Sequence, residues 1–281
     1  MRSIRSKDGT NIAFEITGQG PALILITGAL NYSKFGVVGD LVPLLSDKFT
    51  VINYDRRGRG QSQSDSPWSI AKEIEDIDAL IEIAGGSAHL YGHSAGAALA
   101  LLTAAALGKR VSSTAAYEPP LCSGWRDELQ TRLGIWQFKQ LTSQGKNLEL
   151  ITRFMRYVGM DGALIEETLA SEHRDALIAM APTLSYEARI LLHTSHFMRH
   201  QARLVTQPVY LLAGDQSFAT VLKVQRRLAR ALPSARTLVI SGQTHAVEAK
   251  VLAPILEEFF ALKKSDRSLK RSVVSLTEYN R

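Results

Sequence analysis

Apolar residues fall in short uninterrupted runs along this chain, and the runs alternate with stretches of helical period. Ala22–Ile26 is apolar throughout and ends at Thr27-Gly28, and Phe49–Tyr54 has a similar, largely apolar run. Such runs suit strands buried on both faces of a parallel sheet. Ser3–Lys7 and Asn11–Thr17 read instead as paired strands around Asp8-Gly9-Thr10, where Asp and Gly favour a tight reversal. Over Ile70–Ile83, Ile74, Ile77, Leu80 and Ile81 share one helical face, with Lys72, Glu73, Glu75, Asp76 and Asp78 elsewhere. Ala88–Tyr91 predicts a strand, Ala95–Leu107 an Ala/Leu-rich helix stopped by Gly108, and Val111–Tyr117 a further strand. That strand ends at Glu118-Pro119-Pro120, because proline has no N–H to donate to a central ladder.

From Leu121 to Thr206 the β pattern gives way to helical sequence carrying Trp125, Trp136, Phe138, Phe154, Met155, Tyr157, Phe197 and Met198. Alternation then resumes with a strand over Val209–Ala213, a helix over Val221–Leu232 ending at Pro233, a strand over Thr237–Ile240 and a helix over Val251–Leu262. The order predicts a mostly parallel α/β sheet flanked by helices, with a helical insertion after the sixth strand. Its divisions are a core of residues 1–120 and 207–263, a cap of residues 121–206 and a tail of residues 264–281.

With 281 residues, 45% of them hydrophobic, the chain can bury one large core rather than several. No apolar run reaches the roughly 18 residues of a membrane span. Met1–Gly9 lacks the apolar segment of a secretory signal, so a cytoplasmic location is expected. Cys122 is the lone cysteine, with no disulfide partner and no zinc-ligand spacing, and reads as a small buried hydrophobe. The net charge of +6 does not indicate nucleic acid: Lys263–Arg281 holds six basic and two acidic residues, so most of the excess sits in a terminal segment read as solvated and frayed. Nothing in the sequence specifies an oligomeric state.

The candidate chemistry lies between the Ala88–Tyr91 strand and the Ala95–Leu107 helix, at Gly92-His93-Ser94-Ala95-Gly96. A serine hydroxyl is a poor nucleophile until a base takes its proton and a third group orients that base. In G-x-S-x-G the glycines let a strand reverse into a helix, presenting the serine at the turn. Ser94 is therefore the candidate nucleophile, and the Ala95 N–H at the helix start is a candidate oxyanion donor.

Motif and order together resemble the α/β-hydrolase superfamily, over nearly the whole chain to about Leu262. Ile26-Thr27-Gly28-Ala29-Leu30 lies where the family has its oxyanion loop, with Thr27 in place of the usual His, so the resemblance implies Ala29, or Gly28, as a second donor. Asp55–Ser62 resembles the D-x-R-G-x-G-x-S stretch after the fourth strand and is read as a Gly-rich turn braced by charge pairs. His245 follows the last strand, where the family carries its base. His93 and His89 read as packed or hydrogen-bonded structural residues. His193, His196 and His200 share a helical face but lack acidic or Cys partners at ligand spacing, so no metal is expected; no organic cofactor is implied either, and no G-x-G-x-x-G follows the first strand.

The acid departs from the family pattern. Its usual slot, G-x-x-D after the seventh strand, holds Ser217 here. Two carboxylates compete. Asp215 follows Gly214 directly, whereas Glu118 ends the sixth strand, where zearalenone-lactone hydrolases and certain dehalogenases carry theirs. Pro119-Pro120 would hold Glu118 rigidly, which favours it over Asp215. Ser rather than Asp at the elbow points to acyl transfer, and the cap aromatics to a small apolar ester or lactone. C–C bond hydrolysis or perhydrolase-like chemistry would use the same triad. A non-catalytic small-molecule receptor is the alternative of another class.

Overall fold

A computed structural model describes residues 1–261 apart from Asp65 and Ser123. The tail assigned to residues 264–281, and the ends of the last helix and of the core, lie outside the described residues. Eight strands form one sheet in the order β1-β2-β4-β3-β5-β6-β7-β8. They are β1 Arg2–Arg5, β2 Asn11–Thr17, β3 Ala22–Ile26, β4 Thr50–Tyr54, β5 Ala88–His93, β6 Val111–Tyr117, β7 Val209–Gly214 and β8 Ala235–Ile240. β1 and β2 pair antiparallel, β2 meets β4 antiparallel with Phe14 opposite Tyr54, and every pairing from β4 to β8 is parallel.

Successive side chains of a strand point to opposite faces, which explains why β3 is apolar at every position. Leu23 and Leu25 face one layer, with α1 (Val37–Leu45) and, near the chain's end, an α-helix over Ala249–Ala261. Ile24 and Ile26 face the other, with α2 (Ile70–Ile83) and α3 (Ala95–Leu107). Ser69 caps α2 by accepting from the Lys72 N–H at 3.3 Å.

Between β6 and β7 run α4 (Trp125–Ser143), α5 (Asn147–Tyr157), α6 (Gly162–Ala170), α7 (Arg174–Met180) and α8 (Leu184–His196), followed by a π turn over Phe197–Gln201. α9 (Val221–Ala231) joins β7 to β8, and α10 is the Ala249–Ala261 helix. The inserted helices build their own apolar cluster, with Leu150, Ile151, Met155, Ile165, Leu177, Met180 and Leu184 closing around Leu30. Among the described residues, no helix is long and apolar enough to cross a membrane.

Besides shifts of one or two residues at the ends of other elements, three features depart from the sequence reading. α1 has no counterpart in it, since Gly36 at its start and Gly39 and Pro43 within it break the helical signal, yet Val38, Leu41 and Leu45 are buried against the sheet. β8 begins two residues early, at Ala235, because strand pairing with Val209 and Tyr210 outweighs the polar Arg236. The insertion's aromatics also divide: Phe197 is buried, whereas Trp125, Trp136 and Tyr157 face solvent.

Candidate active site

The elbow takes its shape from glycines that close packing demands. A Cβ on Gly96 would lie 2.3 Å from the Ile26 carbonyl oxygen, and one on Gly92 would lie 2.4 Å from the Gly96 oxygen. Neither place admits a larger residue. Between them Ser94 sits at φ 54°, ψ −123°, partly exposed, with its N–H donating to the Tyr117 carbonyl at 2.9 Å. Three non-glycine residues among those described have positive φ: Leu30 at 52°, Ser94 at 54° and Glu118 at 47°. One lies on each of the three segments that meet here. Backbone strain of this kind costs on the order of 1–3 kcal/mol per residue and persists only where the surroundings over-determine it.

β6 delivers Glu118 to the same sheet edge. Its side chain is fully buried, and Oε2 lies 2.6 Å from His245 Nδ1. Oε1 accepts the Gly214 N–H at 2.9 Å, and Oε2 also accepts the Ser217 hydroxyl at 2.7 Å. Burial pushes the Glu118 carboxyl up, but the bonds from His245, Gly214 and Ser217 outweigh it and hold the group below the ordinary glutamate value. Ser217, occupying the customary acid slot, is thus a hydrogen-bond donor to the carboxylate that arrives from β6.

Asp215 does not reach the imidazole. Its carboxylate accepts the Gly242 N–H at 2.8 Å and the Ser241 hydroxyl at 3.1 Å, so it braces the turn that carries His245. Asp215 opens the turn after β7, where its side chain meets the Ser241-Gly242 turn after β8. Tyr117 ties down the same loop through its hydroxyl, which donates to the Thr244 carbonyl at 2.6 Å.

His245 is partly exposed, and its ring centroid lies 5.0 Å from that of His93 and 5.4 Å from that of Phe218. His245 therefore stands beside the elbow, although the Ser94 hydroxyl makes no hydrogen bond to any other described residue. His93 is not idle in the turn. Its Nε2 lies 2.8 Å from the His245 carbonyl oxygen and donates to it, and its ring stacks on Tyr117. His89, by contrast, pairs with the Ser113 hydroxyl at 2.7 Å, on the strand away from this cluster.

Burial, and then the nearby His245, lower the His93 pKa from 6.5 to about 4. A histidine whose folded value lies below its unfolded one lets the unfolded chain take up the proton first as pH falls. Its contribution to stability is whole above about pH 6.5 and is lost progressively toward pH 4. That interval corresponds to about 3 kcal/mol. Urea unfolding at pH 7 and pH 4 is expected to show His93→Gln losing about that much less than the wild-type chain; equal losses would refute the assignment.

The Thr27–Leu30 loop lies against the elbow, a Cβ on Gly28 falling 3.2 Å from the Ser94 Cβ. Among the described residues, the Ala29 and Ala95 N–H groups have no protein acceptor. Thr27 is fully buried and its hydroxyl donates to the Asn31 carbonyl at 3.4 Å. Beneath the loop, Asp55–Ser62 forms a web of buried charge pairs. Arg56 grips Glu73 through Nε at 2.8 Å and Nη2 at 2.5 Å; Arg57 grips Asp76 at 2.7 and 2.6 Å. Cys122 is buried. His193, His196 and His200 stack along α8 and the π turn, and no group of three or more His, Cys, Asp or Glu among the described residues could hold a metal ion.

Comparison with known proteins adds relatives to this geometry. A family model described as the alpha/beta hydrolase family matches residues 23–253. An alpha/beta hydrolase structure from Sphaerobacter thermophilus is 33% identical, covers 92% of this chain and 100% of its own, and superposes with a TM-score of 0.80. The 2-(acetamidomethylene)succinate hydrolase of Mesorhizobium japonicum is 28% identical over 238 residues, 82% of this chain and 83% of its own length. The enol-lactonase of Burkholderia xenovorans shares the fold at 18% identity, with a TM-score of 0.71 over 93% of this chain and 100% of its own.

Proposed function

Because the chain belongs to the alpha/beta hydrolase family, we propose that it cleaves a carboxylic ester or lactone through an acyl-enzyme, with Ser94 as nucleophile, His245 as base and Glu118 as acid. The observation that carries this reading is the 2.6 Å contact between His245 Nδ1 and a buried Glu118 carboxylate, beside a serine held at positive φ. Glu118 fixes the tautomer with the proton on Nδ1, which leaves Nε2 free to accept from the Ser94 hydroxyl. Substrate binding closes that contact, since catalytic hydrogen bonds are often long in unliganded sites.

Ser94 Oγ attacks the acyl carbon as its proton passes to His245 Nε2, and Glu118 stabilises the imidazolium. The tetrahedral oxyanion lies against the Ala29 and Ala95 N–H groups, the latter at the positive end of α3. Collapse expels the alcohol, which takes the proton from Nε2. Water then attacks the acyl-enzyme with His245 again as base, releasing the carboxylic acid and restoring the serine. The curated relative named for hydrolysis of a succinate derivative supports a small organic acid derivative as substrate. The inserted helices would cover this edge of the sheet as a cap.

The test is turnover of a panel of short-chain esters and five- or six-membered lactones, together with covalent labelling by a fluorophosphonate. Hydrolysis of at least one class with stoichiometric labelling is expected. A folded protein that neither labels nor turns over any of them would leave the receptor reading in its place.

A further inference from the structure

Arg59 lies buried between the oxyanion loop and the inserted helices. One nitrogen of its guanidinium, Nη1, donates to the Gly28 carbonyl at 2.5 Å and to the Asn31 carbonyl at 3.0 Å; the other, Nη2, donates to Glu187 on α8. Glu187 also accepts from Arg56 Nη1 at 3.2 Å, and that same nitrogen lies 3.2 Å from the Thr27 carbonyl. Both arginines and Glu187 are almost wholly excluded from solvent. A single carboxylate on the insertion therefore bridges two guanidiniums, Arg56 being gripped by Glu73 as well, and the two arginines hold the carbonyls of two successive residues of the oxyanion loop.

The consequence follows from peptide geometry. In a trans peptide the C=O and the next N–H point in opposite directions, and no cis bond occurs among the described residues. Gly28 C=O and Ala29 N–H belong to one such plane. Drawing the Gly28 oxygen toward Arg59 turns the Ala29 N–H to the other side, and a cationic donor on the oxygen polarises the amide, strengthening its N–H as a donor. Leu30 is seated in the apolar cluster of the insertion, so the loop is pinned there on both sides of the Ala29 amide. α8 itself is docked at close range: a Cβ on Gly58 would lie 3.2 Å from Thr183 and 3.4 Å from Tyr186, and Tyr186 stacks on Trp68 at 4.8 Å.

We infer that Glu187 is a positioning residue for the oxyanion hole, acting through Arg59 to orient the Gly28–Ala29 peptide, so that seating of the inserted helices sets the strength of transition-state stabilisation. The inference rests on the hydrolase reading above. It makes α8 part of the catalytic apparatus without contact to substrate, and it gives the insertion a role beyond covering the site.

The experiment compares wild type, Glu187→Gln and Arg59→Lys for p-nitrophenyl acetate turnover, for the affinity of a phenylboronic acid whose tetrahedral adduct on Ser94 occupies the hole, and for the backbone 15N–1H resonance of Ala29. Losing one oxyanion donor outright costs about 10²- to 10³-fold, and a tilted donor retains part of its effect. For Glu187→Gln, kcat is expected to fall about 10- to 100-fold with KM within about threefold, boronate affinity to weaken by a similar factor, and the Ala29 resonance to move. Arg59→Lys keeps the charge balance but loses the fork, and should do the same. Folded variants with kcat and boronate affinity within about twofold of wild type, or with KM alone altered, would overturn the proposal. Loss of folding in both variants would also overturn it, assigning the pair to holding the fold. If wild type neither turns over nor binds boronate, the hydrolase reading fails instead, and an unmoved Ala29 resonance in a folded variant then decides against the positioning role by itself.

Discussion

Ser94→Ala is expected to lower kcat about 10⁴- to 10⁶-fold and to abolish fluorophosphonate labelling, with the fold intact. Alanine keeps the Cβ and the strained backbone, so only the nucleophile is removed. What activity persists would come from substrate binding and the Ala29 and Ala95 amides acting on water. Ser94→Gly separates function from stability more sharply. A φ of 54° with ψ of −123° is nearly confined to glycine, and relief of the strain there exceeds the extra freedom glycine gives the unfolded chain. The glycine variant should be inactive and about 1 kcal/mol more stable than wild type in urea unfolding. An unchanged or lower stability would mean that the elbow is not strained, and labelling that survives in Ser94→Ala would place the nucleophile elsewhere.

Much of this site is legible in the sequence because its parts are local. Gly92-x-Ser94-x-Gly96 between an apolar strand and an Ala-rich helix specifies the elbow, and the register of β3 against β5 carries Ile26 alongside Gly92 and so brings the oxyanion loop to it. The parallel sheet is legible for the same reason, since β3 is apolar at every position and β4 largely so, as strands buried on both faces require. What sequence leaves open is which long-range partner a side chain meets. Glu118 and Asp215 are both carboxylates at strand ends on neighbouring strands. Their difference is a matter of where the chain turns: Glu118 at φ 47° breaks from the strand direction toward His245, and Asp215 is taken up by the Ser241-Gly242 turn. Glu187 gives no signal at all, being one acid on an amphipathic helix 128 positions from the arginine it holds. α1 was hidden because its glycines and proline argue against a helix locally, while the burial that stabilises it comes from the sheet and α10.

Glu118→Gln is expected to lower kcat by about 10³- to 10⁴-fold while leaving the fold and substrate affinity nearly unchanged. The amide preserves the shape of the carboxylate but offers an N–H where His245 Nδ1 needs an acceptor. The imidazole then either loses its partner or turns its unprotonated nitrogen to the amide, placing the Nε2 proton toward Ser94, the wrong tautomer for a base. The charge that stabilises the imidazolium is gone as well. Asp215→Asn should cost less than about tenfold in kcat, because that carboxylate braces the turn through Gly242 and Ser241 and does not touch the ring; its effect belongs mainly to stability. Ser217→Ala falls between them: it removes one of three donors to Glu118, raising the carboxyl pKa toward its ordinary value, and should lower kcat by a factor between those of the other two variants. Steady-state kinetics of the three variants against pH, with unfolding measured in parallel, separates these roles. Collapse of turnover in Asp215→Asn with Glu118→Gln active would transfer the acid to β7 and require the loop to rearrange when substrate binds.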